Sequence, residues 1–109
     1  MAYLSDMKDE LISKEVGTAV VRPEGDLVAP GLPPIRSKLR EMVDKGVRHL
    51  TLDLAPTRLV DSAGIGLLIA VHNSLKKAGG ELTLIHVSDE ILELLRTMRM
   101  HQHFSMSGN

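Results

Sequence analysis

Leu59-Val60-Asp61-Ser62-Ala63-Gly64-Ile65-Gly66 joins a run that reads as a strand to a run that reads as a helix. Upstream, Val47 to Leu54 alternates Leu50, Leu52 and Leu54 with His49, Thr51 and Asp53, the period-2 pattern of a strand with one buried face. Downstream, Gly64, Leu67, Leu68, Val71 and Leu75 fall on one helical face with Asn73, Lys76 and Lys77 opposite, until Ala78-Gly79-Gly80 stops the helix. Asp61 and Ser62 are short polar residues where that helix must begin. They read as caps, and the first backbone N–H groups pointing their way favour an anion at that spot. Glu81 to Val87 is a second strand, so strand, helix and strand form a βαβ unit with parallel strands.

Working outward, Leu11 to Val16 and Thr18 to Arg22 flank Gly17 as a hairpin, with Val20 and Val21 marking a strand buried on both faces. Pro23-Glu24-Gly25-Asp26 supplies turn residues. A helix follows from Leu32 or Pro34, with Ile35, Leu39, Met42 and Val43 on its apolar face and Gly46 past its end. Ser88 caps a last helix whose buried face is Ile91, Leu94, Leu95 and Met98. The expected fold is α/β: one domain over 1–109, a small mixed sheet of about four strands, and helices packed against it. Residues 1–10 read as a lead-in, and the polar tail from His101, 105–109 above all, as frayed.

Composition removes several classes of function. Net charge is −1, too balanced for a general pull on nucleic acid or on a membrane surface. Tyr3 and Phe104 are the only aromatics, too few for a base-stacking platform. There is no Cys, hence no thiolate chemistry and no Cys-based zinc site. The apolar run Ala63 to Val71 is far shorter than the ~20 residues that span a bilayer, and the charged start of the chain is unlike a signal peptide, so a cytoplasmic location is expected.

Candidate chemistries centre on Ser62. A serine nucleophile elbow needs Gly two residues earlier, where Val60 stands, and no histidine among His49, His72, His86, His101 and His103 is selected as its base by spacing. Gly64 and Gly66 open a helix after a strand, but the third Gly of a dinucleotide fingerprint and the Gly-Lys-Ser of a Walker loop are missing. Close helix–sheet packing is the simpler reading of both glycines. His101 and His103 are a solvated pair rather than a metal site, so no metal, cofactor or catalytic residue is expected.

Asp61-Ser62-Ala63-Gly64-Ile65-Gly66, leading into Leu67-Leu68, resembles the Asp-Ser-(Ser/Thr/Ala)-Gly-(Leu/Ile)-Gly segment of bacterial anti-sigma-factor antagonists of the STAS domain family. The resemblance runs from about Val16 to Phe104. Glu24-Gly25-Asp26-Leu27 resembles that family's turn before its first helix, with Asp26 in place of a Glu and Val28 in place of an Asp, and Lys77 to Leu82 resembles its helix exit. By this resemblance the chain is a non-enzymatic binding module and Ser62 is a phosphoacceptor. Its partner is a serine-kinase anti-sigma factor, with a phosphatase to reset it, and it touches neither nucleic acid nor membrane. The partner face comprises Gly25, Asp26, Leu27, Asp61, Ala63, Gly64 and Ile65. The alternative is a scaffold or sensor subunit of a signalling assembly in which Ser62 is only a helix cap.

Overall fold

The alternating segments pair as the middle of one sheet in the computed structural model, which describes residues 2–3, 10–12 and 17–108. Among the described residues the strands are β1 (Ala2–Tyr3), β2 (Glu10–Ile12), β3 (Thr18–Val21), β4 (His49–Asp53), β5 (Glu81–Val87) and β6 (Ser105–Gly108), and they lie in the sheet in chain order. β1, β2 and β3 pair antiparallel. β3 through β6 pair parallel, because a helix carries the chain back across the sheet each time: α1 (Leu32–Asp44), α2 (Ser62–Lys77) and α3 (Asp89–Thr97). The sheet is mixed, as the sequence implies, with two short edge strands beyond the expected four.

One face of the sheet makes the core. Ala19 and Val21 of β3, Leu50 and Leu52 of β4, and Leu82 and Leu84 of β5 are buried against Leu39 of α1, Leu68 and Leu75 of α2, and Leu95 of α3. The residues between them, Val20, Thr51, Thr83 and Ile85, are half-buried on the other face, so β3 is buried on one side rather than two. Helix ends follow local chemistry. α1 stops where Gly46 takes φ +102, a conformation that a β-carbon disfavours, and the Arg48 guanidinium donates to the Val43 carbonyl, 3.0 Å away, near that C-terminus. Ser88 caps α3, its Oγ accepting from the Ile91 N–H at 3.2 Å.

Three expectations are corrected, and part of a fourth lies outside the described residues. The lead-in 1–10 contains β1 and the first residue of β2; backbone pairing of Ala2 with Ile12 needs no side-chain pattern and leaves none to read. The far half of the expected hairpin strand, 13–16, lies outside the described residues. The tail is not frayed at 105–108: Phe104 is buried with its ring centroid 5.3 Å from that of His72, and this anchor sets β6 beside β5. Met98 is 44% exposed, because α3 has ended one residue earlier and no longer turns that position inward.

Candidate functional site

Ser62 is the first residue of α2, and the cap is Asp61 alone. The Asp61 backbone is extended, and its Oδ1 accepts from the Gly64 N–H at 2.8 Å. Its other oxygen, Oδ2, accepts from the Ala29 N–H at 2.9 Å, so a single carboxylate closes the helix start and holds the loop that precedes α1. The N–H groups of Ala29 and then of Gly64 keep this carboxyl below the usual aspartate range, and it is charged at neutral pH. The helix start therefore already carries an anion. Ser62 is exposed, and its hydroxyl has no partner among the described residues. The reading of Ser62 as a structural cap is corrected: Ser62 is the first residue inside α2, and the capping bond is made by the Asp61 carboxylate before it.

Two loops, 25–29 and 57–61, are fastened into one platform around this position. Leu27 pairs with Val60 as a parallel bridge; the Leu27 N–H donates to the Leu59 carbonyl at 3.0 Å and the Asp61 N–H to the Leu27 carbonyl at 3.2 Å. The Asp26 carboxylate accepts from the N–H groups of Arg58 at 2.9 Å and Leu59 at 3.1 Å. Thr57, 1% exposed, donates its hydroxyl to the Gly25 carbonyl at 2.8 Å, which satisfies the buried hydroxyl. Gly64 makes the close approach possible: a β-carbon there would overlap the Leu27 carbonyl oxygen and come within 2.8 Å of Val60 Cγ1. Gly66 faces open space and is exposed, so close packing explains one glycine and not the other.

Asp53 clamps the roots of both loops. The strand pattern marks it as outward-facing, yet it is 5% exposed, covered by its partners. Arg22, where the first loop begins, donates from Nε at 3.1 Å, and the N–H of Ala55, where the second begins, donates at 3.0 Å. A bulge in β5 places His86 at φ +54 with Nδ1 2.8 Å from Asp53 Oδ1, the nitrogen donating to the charged carboxylate. Burial alone would raise the Asp53 carboxyl, but the bonds from His86, Ala55 and Arg22 together hold it below the usual range.

The residues expected at this site are thus brought together but in two roles. Ser62 and Asp26 are exposed, and Gly25, Asp61 and Ala63 are half-buried at the surface. Leu27, Gly64 and Ile65 are buried and support the surface from beneath. Thr57, Ala29 and Leu59 also belong to the site, though none carries a motif that marks it as functional. Leu59 is 63% exposed, a large apolar side chain three residues before Ser62 with no place in any periodic pattern, which was its one available signal.

Comparison with known proteins bears on the family and the fold. A family model for the STAS domain matches residues 11–109. The chain is 32% identical over 60 residues to the Bordetella bronchiseptica protein BtrV, covering 55% of this chain and 52% of BtrV. It is 29% identical over 70 residues to the anti-sigma-B factor antagonist of Bacillus subtilis, covering 64% of this chain and 63% of that one. The matched stretches span less than two-thirds of either relative. Among solved structures, the anti-sigma factor antagonist SpoIIAA in its unphosphorylated form superposes with a TM-score of 0.75 at 20% identity, covering 93% of this chain and 87% of that one. The phosphorylated form of the Bacillus protein gives 0.70 at 18%, covering 90% and 89%. With the family model matching nearly its whole length, the chain belongs to the STAS domain family.

Proposed function

We propose that this chain is a phosphorylation-switched anti-sigma-factor antagonist. With Ser62 unmodified it captures an anti-sigma factor that is also a serine kinase; with Ser62 phosphorylated it lets go, and a phosphatase resets it. STAS family members are regulatory, non-catalytic proteins, and the relatives named above include anti-sigma factor antagonists. The observation that carries the reading is the free, exposed Ser62 hydroxyl on a rigid two-loop platform beside an exposed Leu59.

The physics of the switch lies in the interface rather than in the fold. A phosphate adds about −1.5 to −2 charges and three acceptor oxygens. Set on the first turn of α2 it meets a favourable macrodipole, worth roughly 0.3–1 kcal/mol, and also the repulsion of the charged Asp61 beside it. The two effects oppose, so the domain stays folded. A partner that buries Leu59 and the Ser62 hydroxyl would have to strip water from a dianion, at several kcal/mol per ion, and binding falls by a hundredfold or more on that scale. This chain superposes on both the unphosphorylated and the phosphorylated form of SpoIIAA, which suits a switch of this kind.

The direct test incubates the chain with its cognate kinase and ATP and locates the phosphate by mass spectrometry. Phosphate on Ser62, and none in Ser62→Ala, is the expected result. Phosphate elsewhere, or undiminished labelling of Ser62→Ala, overturns the reading.

A further inference from the structure

Between α1 and α2, beyond the first turn of the helix that Ser62 begins, runs a groove of about 260 Å³. Its floor is apolar: Leu39 and Val43 from α1, and Leu67 and Val71 from α2. It stays open because α2 presents the short side chains of Ala70 and Ser74 there. Arg36 and Arg40, four residues apart on α1 and therefore stacked on one ridge, stand at its rim. Both are exposed, and neither has a hydrogen bond or ion pair among the described residues. Two unpaired guanidinium groups beside a strip of buried leucine and valine are not needed by the fold. Asp44, one turn after Arg40 on α1, lines the same groove and leaves its rim with a net charge of +1.

We propose that this groove is a second docking surface, and that its occupant is an amphipathic helix of a partner protein carrying two acidic residues beside a short apolar stripe. The charge of the rim sets the acidic residues, and the spacing of Arg36 and Arg40 matches carboxylates one helical turn apart on the incoming helix. The floor sets the apolar stripe, the pattern by which helices are read in grooves. The volume sets the class of occupant. Small-molecule pockets run from ~300 to ~1,000 Å³ and enclose most of the ligand, whereas this groove is smaller and lies open along its length, with room for two or three apolar side chains. Ala70 lies two turns beyond Ser62 on α2, about 12 Å along the axis, so a helix seated here does not have to cover the serine. Binding in the groove is therefore separable from phosphorylation at Ser62.

The experiment uses the full chain, isotopically labelled, and two short stapled helical peptides. One carries three leucines along one face and two glutamates a turn apart beside them; the other has lysines in place of the glutamates. The acidic peptide is expected to shift the amide resonances of Leu67, Ala70, Val71 and Ser74, and to bind roughly tenfold or more tighter than the lysine peptide. The double change Arg36→Glu with Arg40→Glu, at two exposed positions, is expected to weaken it by about the same factor, and Ala70→Leu, which fills the groove, to abolish it. Equal binding of the two peptides, shifts centred elsewhere, or indifference to the arginine changes overturns the proposal. So does octanoate producing the same shifts with the same dependence on the arginines, since that assigns the groove to a small carboxylate instead.

Discussion

Replacing Gly64 by Ala tests how tightly the Ser62 platform is built. In an ordinary exposed helix the change would stabilise by roughly 1 kcal/mol, the difference in helix propensity. Here the new methyl overlaps the Leu27 carbonyl oxygen and presses on Val60 Cγ1, and the obstacle is backbone rather than the end of a flexible side chain. Overpacking of this kind costs about 1–3 kcal/mol. Moving Leu27 away also strains the bond it accepts from the Asp61 N–H, with a further ~1 kcal/mol at stake. The net expectation is a loss of about 1–3 kcal/mol. Gly66→Ala is the internal control: two residues on in the same helix, with open space where its methyl would go, it should gain about 0.5–1 kcal/mol. Urea denaturation of the two variants beside the parent separates them by ~1.5 kcal/mol or more, in opposite directions. Equal stabilities, or a Gly64→Ala protein more stable than the parent, would refute the account of the platform.

Three further outcomes follow from the same geometry. Asp61→Ala removes the acceptor for both Ala29 and Gly64 and lowers the thermal midpoint clearly, whereas Ser62→Ala, which breaks no bond, leaves it in place; thermal scans that rank the two the other way would return the cap to Ser62. Burial, then Lys76 and His103, hold the His72 imidazole below its ordinary value near 6.5, so the unfolded chain takes up the proton first; stability is full above that value and declines as pH falls below it, and His72→Gln should flatten the profile between pH 7 and 5. Leu59→Ser, at a side chain 63% exposed, should leave urea stability within about 0.5 kcal/mol of the parent while weakening capture of the anti-sigma factor at least tenfold by titration calorimetry, as expected for an exposed apolar anchor.

Much of this architecture is legible before any coordinates. The alternation of Leu50, Leu52 and Leu54, the helical spacing from Gly64 to Leu75, and the run Glu81–Val87 place β4, α2 and β5, because burial of one face imposes a period that the residues must obey. Edge strands obey no such rule. β1 needs only backbone to pair, and β6 pairs with β5 just after one buried aromatic, Phe104, whose ring packs against His72 about thirty positions earlier in the chain. The division of labour between Asp61 and Ser62 is also invisible in sequence, since both residue types cap helices equally well. What decides it is the Ala29 N–H, brought to Asp61 by the loop before α1, a contact across 32 positions. Asp53 misleads for a similar reason: a polar residue in an alternating strand reads as solvent-facing, and only the bulge that turns His86 towards it, with Arg22 on its other side, buries it. Period sees the face a residue takes; it does not see which distant polar group comes to meet it.

The central claim is that charge at Ser62 decides binding and leaves the fold alone. The measurement that reaches it most directly is calorimetric titration of the cognate anti-sigma factor with three versions of the chain, carrying serine, alanine or phosphoserine at position 62, each with its thermal midpoint recorded. Tight binding by the serine and alanine forms is expected, with a loss of a hundredfold or more for the phosphoserine form and midpoints within a few degrees of one another. Equal affinity for all three, or a phosphoserine form that fails to bind because it has unfolded, would contradict it.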